Sequence, residues 1–234
     1  MVRAGGQVQR RNLVVAVDGP SGSGKSTVSR GVAAALGLRY LDTGAMYRAL
    51  TWLALDRGVA LGATGELAAL AEDALIEVSA DPGAPTISIE GHDVTTAVRG
   101  PDVTAAVSAV SAVPGVRTAM VSRQRELIGA GGIVVEGRDI GTTVVPDAPV
   151  KVFLVADPAA RAARRVRQDA GLGLATTSAS AAQAELARRD EADSTRAASP
   201  LTQAPDAVVI DATRLSAEDV IREVLALVET AAGR

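Results

Sequence analysis

The eight residues Gly19-Pro20-Ser21-Gly22-Ser23-Gly24-Lys25-Ser26 constrain this chain more than any other feature. They match the pattern glycine, four residues, Gly-Lys-Ser, and they lie between a strand-like run and a helical pattern, the context that a phosphate-binding loop requires. Glycines open backbone conformations closed to other residues, so successive N–H groups turn inward on phosphates at a helix N-terminus. Lys25, one of only two lysines in the chain, is placed to reach the β and γ phosphates, and the Ser26 hydroxyl to help hold Mg2+. Gly19 to Thr27 is therefore the expected binding segment for ATP, and the acceptor is left open.

Five short apolar or β-branched runs read as buried strands: residues 13–17, 39–41, 133–135, 150–155 and 207–210. Helical patterns separate them, so the expected fold is α/β: a three-layer P-loop architecture with a five-stranded parallel sheet and helices on both faces. Ligands bind such sheets at the carboxyl ends of the strands. Polar residues collect there: Asp18-Gly19, Asp42-Thr43-Gly44, Glu136-Gly137-Arg138-Asp139, Asp157-Pro158 and Asp211. For Asp157-Pro158 and Asp211 the ordinary ending of a strand is explanation enough. The stretch from Asp42 to Gly132 is too long for one crossover helix. Within it, residues 75–98 carry three β-like runs with turn signals at Asp81-Pro82-Gly83 and Gly91-His92, which predicts a small inserted antiparallel sheet. Gly171 to Ser180 separates two arginine-rich helices and reads as a mobile loop.

Hydrophobic residues make up 47% of the 234, enough for one well-buried core with a smaller inserted lobe. A formal charge of −3 argues against a nucleic-acid partner, which needs a basic face, and leaves room for a small anion held by local arginines. Without cysteine there is neither a disulfide framework nor a thiolate metal site. The run Leu13 to Val17 is too short for a signal peptide, and no segment reaches roughly 18 uninterrupted apolar residues. A soluble cytoplasmic protein without a membrane partner is expected.

On the acceptor side, Asp42 or Thr43 can cap the helix that follows the second strand, and Arg48, one turn in, either grips a phosphate or lies at the surface. Arg138 and Asp139 fall beside the phosphate loop, as a ligand-reading pair or as a buried ion pair. An arginine there suits a phosphate, and an aspartate accepts from an exocyclic amine such as cytosine N4. Arg189, Asp193 and Arg196 recur at i, i+4 and i+7 on one helical face, a spacing that a solvated salt-bridge ladder satisfies equally well. Arg161, Arg164 and Arg165 follow the Asp157 cap and Pro158, just before the loop, where a closing lid would carry charge onto a transferring phosphate. His92 has no ligand partners nearby in sequence, and Trp52 reads as core.

The segments GPSGSGKST and DTGAMYR, with VRTAMVSRQR at 116–125, EGRDIGTTVVPDAPVKVFL at 136–154 and RRDEADSTRAASPL at 188–201, resemble bacterial cytidylate kinases in order and spacing over nearly the whole chain. The resemblance implies a nucleoside-monophosphate-kinase fold, with core at 12–42, 132–157 and 181–230, an NMP-binding insert at 43–131 and a lid region at 158–180. It implies a monomer that passes the γ-phosphoryl of ATP, with Mg2+, to CMP or dCMP in pyrimidine metabolism. By motif position, Arg48, Arg138 and Arg189 hold the acceptor phosphate, and Thr43, Arg117 and Asp139 read the cytosine edge. Asp193 meets the sugar hydroxyl with help from Arg189 and Arg196, and Asp42 joins the substrate-binding set. Lys25, Arg138 and one or more of Arg161, Arg164 and Arg165 act on the transferring group. Thr43 stands where the family often has serine, and either hydroxyl can hydrogen-bond a base.

Phosphoryl transfer needs positioning and charge neutralisation, so no general base beyond the acceptor phosphate and no catalytic histidine are expected. Two rivals share the cradle. Another small-molecule kinase, acting on UMP, AMP or a sugar acid, differs in its acceptor pocket. A switch-type NTPase orders loops around the γ-phosphate. Such switches usually carry an Asn-Lys-x-Asp segment, which this sequence lacks.

Overall fold

The computed structural model describes residues 12–171, 173 and 178–232. The chain opens with β1 (Val14–Asp18), α1 (Lys25–Leu36) and β2 (Arg39–Asp42). It continues through α2 (Thr43–Asp56), α3 (Thr64–Asp73), three short strands, β3 (Ile76–Val78), β4 (Ile87–Ile89) and β5 (His92–Asp93), then α4 (Pro101–Ala112) and α5 (Pro114–Ile128). It returns through β6 (Ile133–Gly137), β7 (Val150–Val155), α6 (Pro158–Gly171), α7 (Ala179–Thr195), β8 (Val208–Asp211) and α8 (Ala217–Ala232).

All five expected strands form one parallel sheet in the order β2-β6-β1-β7-β8. β1 and β6 are buried along their whole length, which is why both read as continuous apolar runs. Alternate residues serve opposite layers. Val14, Ala16, Ile133 and Val135 pack with α2 and α5, while Val15, Val17, Val134 and Val152 pack with α1 and α8. The register sets Asp18 opposite Gly137 and Asp42 opposite Glu136, so the polar ends of three strands finish level.

The inserted sheet runs β3-β4-β5, antiparallel throughout. Its second hairpin turns on Glu90 and Gly91, both with positive φ (51° and 76°) as a type I′ turn requires, one residue ahead of the Gly91-His92 signal. The third strand is shorter than its sequence suggests. The Asp93 carboxylate accepts the Thr95 N–H at 2.9 Å, and Thr95 Oγ1 takes the Ile87 N–H at 3.0 Å. Side chains thus end the ladder, and Ala97–Arg99 coil into a 3-10 turn. Ile87 and Ile89 join the same buried cluster as Leu50 of α2.

The far end of this insert is tied back to the main sheet. Tyr40 N–H donates to the Ala80 carbonyl at 2.9 Å along the outer side of β2, and Arg30 of α1 donates to the Pro82 and Gly83 carbonyls at 2.7 and 3.2 Å. Of the loop expected at 171–180, Gly171 ends α6 and Ala179 and Ser180 open α7, while residues 172 and 174–177 lie outside the described residues, as does the basic start, residues 1–11. Among the described residues no single helix is long and apolar enough to cross a membrane.

Leu50 is fully buried between α2 and the insert. Leu50→Ala should cost about 3 kcal/mol through lost burial and the cavity left behind. The thermal midpoint should fall by about 10 °C. Calorimetry checks this against Leu75→Ala, a half-exposed position that should stay within about 1 kcal/mol of the parent.

Candidate active site

The phosphate loop leaves β1 through Gly19, whose φ of +144° and whose closeness to the Leu154 carbonyl, 2.1 Å from where a Cβ would stand, exclude other residues. The loop ends at Gly24, which caps α1, so Lys25 and Ser26 open the helix. Lys25 Nζ donates to the Pro20 carbonyl at 2.7 Å, lying back along its own loop. Burial, and then the Arg138 charge, push its pKa down to about 7. Beside it, burial and then the Asp42 charge push the Glu136 carboxyl up to about 7, while Tyr40 and Ser26 hydrogen-bond it.

Asp18, at the end of β1, accepts the N–H groups of Ile140 and Gly141 at 2.8 and 2.7 Å. Burial raises its pKa to about 6 despite those bonds. The turn after β6 is thereby pinned, and it aims Arg138 and Asp139 to opposite sides. Arg138 reaches Asp193 Oδ2 at 2.8 Å and Ser21 Oγ at 2.7 Å. Asp139 pairs with Arg117, whose guanidinium stacks 5.4 Å from the Tyr47 ring centre. Gly137 is the one residue that fits between these groups, because a Cβ there would stand 2.6 Å from Thr43 Oγ1.

Asp42 caps α2 through the Ala45 N–H at 2.9 Å, and its other oxygen meets Arg99 at 3.0 Å. Thr43 Oγ1 donates to the Glu136 carbonyl at 2.7 Å, which joins α2 to β6. Arg48 is buried, donating to the Val98 carbonyl at 3.0 Å and to Thr104 Oγ1 at 2.9 Å. Burial, then Arg189 nearby, lower its pKa well below the usual value. Arg189 is pushed down to about 10 by burial and then by Arg138. Burial works against the Asp193 charge, yet Arg138 beside it holds that carboxyl below the usual range. Arg196 lies just past the end of α7, 3.6 Å from Asp193 and 3.8 Å from Asp139.

These groups line a cleft of about 360 Å³. Among the described residues its walls carry nine cations, Lys25 and arginines 48, 99, 117, 138, 164, 165, 189 and 196, against four carboxylates, Asp42, Glu136, Asp139 and Asp193. Such an excess, partly dehydrated, is built for a polyanion. Arg164 and Arg165 face the cleft, with Arg164 also on the Ser23 carbonyl at 3.0 Å and Arg165 on Asp169 at 3.0 Å. Arg161 does not line it and lies behind the loop instead, on the Ser21 carbonyl and Asp190. Of the cradle, Ser21, Gly22, Gly24, Lys25, Ser26 and Thr27 face the cleft. A second cleft of about 510 Å³ opens on the other side of the cradle, between Arg164, Arg167 and residues 212–217.

Sequence reasoning missed Arg99, Asp190 and the part played by Glu136. Glu136 directly follows an expected strand, so its place was visible; Arg99 lies one residue past the β-like runs of 75–98, and its only mark was its charge. His92 is exposed, its ring 6.0 Å from that of Trp52, and Trp52 packs partly buried against the core.

A parallel sheet with a phosphate loop at the end of its first strand, opening onto a second anion site, defines a P-loop phosphotransferase. The family model for cytidylate kinase matches residues 15–230, and the chain belongs to the cytidylate kinase family. It is 52% identical to the cytidylate kinase of Streptomyces griseus subsp. griseus over 95% of both chains. It is 50% identical to that of Mycobacterium avium, over 90% of this chain and 92% of that one. In fold alone it is like an uncharacterized protein from Eubacterium ventriosum, with a TM-score of 0.52, 11% identity, and coverage of 93% of this chain and 99% of that one.

Glu136 has a measurable signature. Below its ordinary pKa of 4.5 it is protonated both folded and unfolded; between 4.5 and about 7 the unfolded chain releases the proton that the folded chain keeps. Stability therefore falls as pH rises through that window. Glu136→Gln should shrink the difference in urea stability between pH 4.5 and pH 8 by on the order of 3 kcal/mol, with the gain at pH 8.

Proposed function

We propose that this chain transfers the γ-phosphoryl group of ATP to CMP or dCMP, giving CDP or dCDP and ADP. The observation that carries the reading is the meeting, in one cleft, of the phosphate cradle with the Arg117–Asp139 pair and the arginines 48, 138 and 189. The loop N–H groups and Lys25 take the ATP phosphates, and the second cleft suits the nucleoside end of ATP. Arg48, Arg138 and Arg189 hold the acceptor phosphate. Asp139, oriented by Arg117, accepts from cytosine N4, with Thr43 beside it and Asp42 holding the helix that carries Thr43 and Arg48. Asp193 and Arg196 meet the sugar.

An acceptor phosphate oxygen attacks the γ-phosphorus as the bond to the ADP oxygen breaks, and that oxygen is already anionic at neutral pH. Arg164 and Arg165, from the cleft wall, neutralise the charge spread over the transferring group. A divalent cation fits here as well: Glu136 is a buried carboxylate beside the Ser26 hydroxyl, an oxygen pair suited to Mg2+. Glu136 and Ser26 would hold such an ion, which would supply positive charge to offset that of the ATP phosphates. Segment 43–131 is the acceptor-binding insert, and 158–180 closes over the cleft to exclude water. The protein acts as a cytoplasmic monomer.

ADP release with Mg-ATP, measured with CMP, dCMP, UMP, AMP and no acceptor, tests the reading. Turnover should be fast with CMP and dCMP, slow without acceptor, and at least about 100-fold lower in Asp139→Ala. Equal ADP release with and without acceptor would sink the kinase reading.

A further inference from the structure

Ser21 lies in the phosphate loop, yet its three backbone and side-chain polar groups are all engaged by neighbours. Its N–H donates to Asp190 Oδ1 at 3.1 Å, its carbonyl accepts from Arg161 at 3.2 Å, and its hydroxyl accepts from Arg138 at 2.7 Å. Arg161 also pairs with Asp190 and is anchored on the Ala156 carbonyl at 3.1 Å. The next residue packs as closely: a Cβ on Gly22 would stand 3.2 Å from Arg161 Cβ. An ion pair joining α6 to α7 thus grips the Ser21 residue at both its N–H and its carbonyl.

α7 has two working faces. Arg189 and Asp193 line the cleft, and Asp190, about 100° further round the helix from Arg189, meets the back of the loop. One helix therefore carries acceptor-side groups and holds the donor cradle.

We propose that Asp190 is a positioning residue that sets the distance between donor and acceptor, by bonding Ser21 of the phosphate loop to the helix that carries Arg189 and Asp193. Arg161 completes the lock from behind the loop. The proposal rests on the kinase reading above. Loosening the lock leaves each binding residue in place and blurs the alignment between them, and an error of about 1 Å in such alignment costs on the order of 100-fold in rate. Its mark is a fall in kcat at nearly constant KM.

The test uses the full chain with Asp190→Asn, which keeps an acceptor for the Ser21 N–H and loses the charge facing Arg161, and with Asp190→Ala. Removing one partner of a buried pair can unfold a protein, so a third variant, Arg161→Met with Asp190→Leu, removes both charges together. kcat is taken per folded site, counted by ATP binding, and CDP formed is measured beside ADP released. Expected are a kcat about 10-fold lower in Asp190→Asn and about 100-fold lower in Asp190→Ala and the double variant. KM for CMP and for ATP should each stay within about 3-fold, and ADP should exceed CDP as water competes for the misaligned phosphoryl group. A kcat per folded site within about 3-fold of the parent in Asp190→Ala or the double variant, or a loss confined to KM, would overturn the proposal while parental CMP turnover leaves the kinase reading standing. A parent inactive on CMP overturns both.

Discussion

The Asp18 carboxylate, buried where β1 ends, accepts two backbone N–H groups from the turn that follows β6. That turn runs from the end of β6 into a single π-helical turn, Ile140–Val144, and it carries both Arg138 and Asp139. With its backbone fixed from below, one side chain reaches the cradle and α7 while the other reaches Arg117 on α5. The donor and acceptor halves of the cleft therefore share a single reference point. Burial works against the charge on Asp18, and two directed N–H bonds offset part of that cost.

The cleft itself is electrostatically unbalanced. Burial and then Arg189 lower the pKa of Arg48, and burial and then Arg138 lower that of Arg189. Such crowding weakens the fold and strengthens the hold on an anion, because the groups are already desolvated and aimed before a phosphate arrives. Lys25 follows the same logic. Its proton is weakly held beside Arg138, and a phosphate group at the cradle favours its charged form.

The central strands β1 and β6 were legible because each is a continuous apolar, β-branched run ended by polar residues, a pattern that burial on both faces imposes. The cradle was legible because its geometry tolerates so few residues, Gly19 above all. The ambiguous spacing of Arg189, Asp193 and Arg196 is decided by partners far away in sequence: Asp193 binds Arg138, which no helical wheel displays. Arg161, Arg164 and Arg165 of α6 show the limit most clearly. Their sequence spacing treats them alike, and only the packing of α6 against the loop sends Arg161 behind Ser21 while Arg164 and Arg165 face the cleft. Arg99 was hidden for a similar reason, since β5 stops early and the following turn swings that side chain onto Asp42.

The tie between the inserted sheet and the outer side of β2 also bears on how copies of the chain meet. With the Tyr40 N–H occupied by Ala80, and Arg30 bracing the same loop, β2 presents less of a template for pairing with a foreign strand. The opposite margin of the sheet is β8, four residues long, with exposed Val208 and Val209 between Asp206 and Asp211. A short edge with carboxylates at both ends is a poor seed for edge-to-edge pairing between copies of the chain.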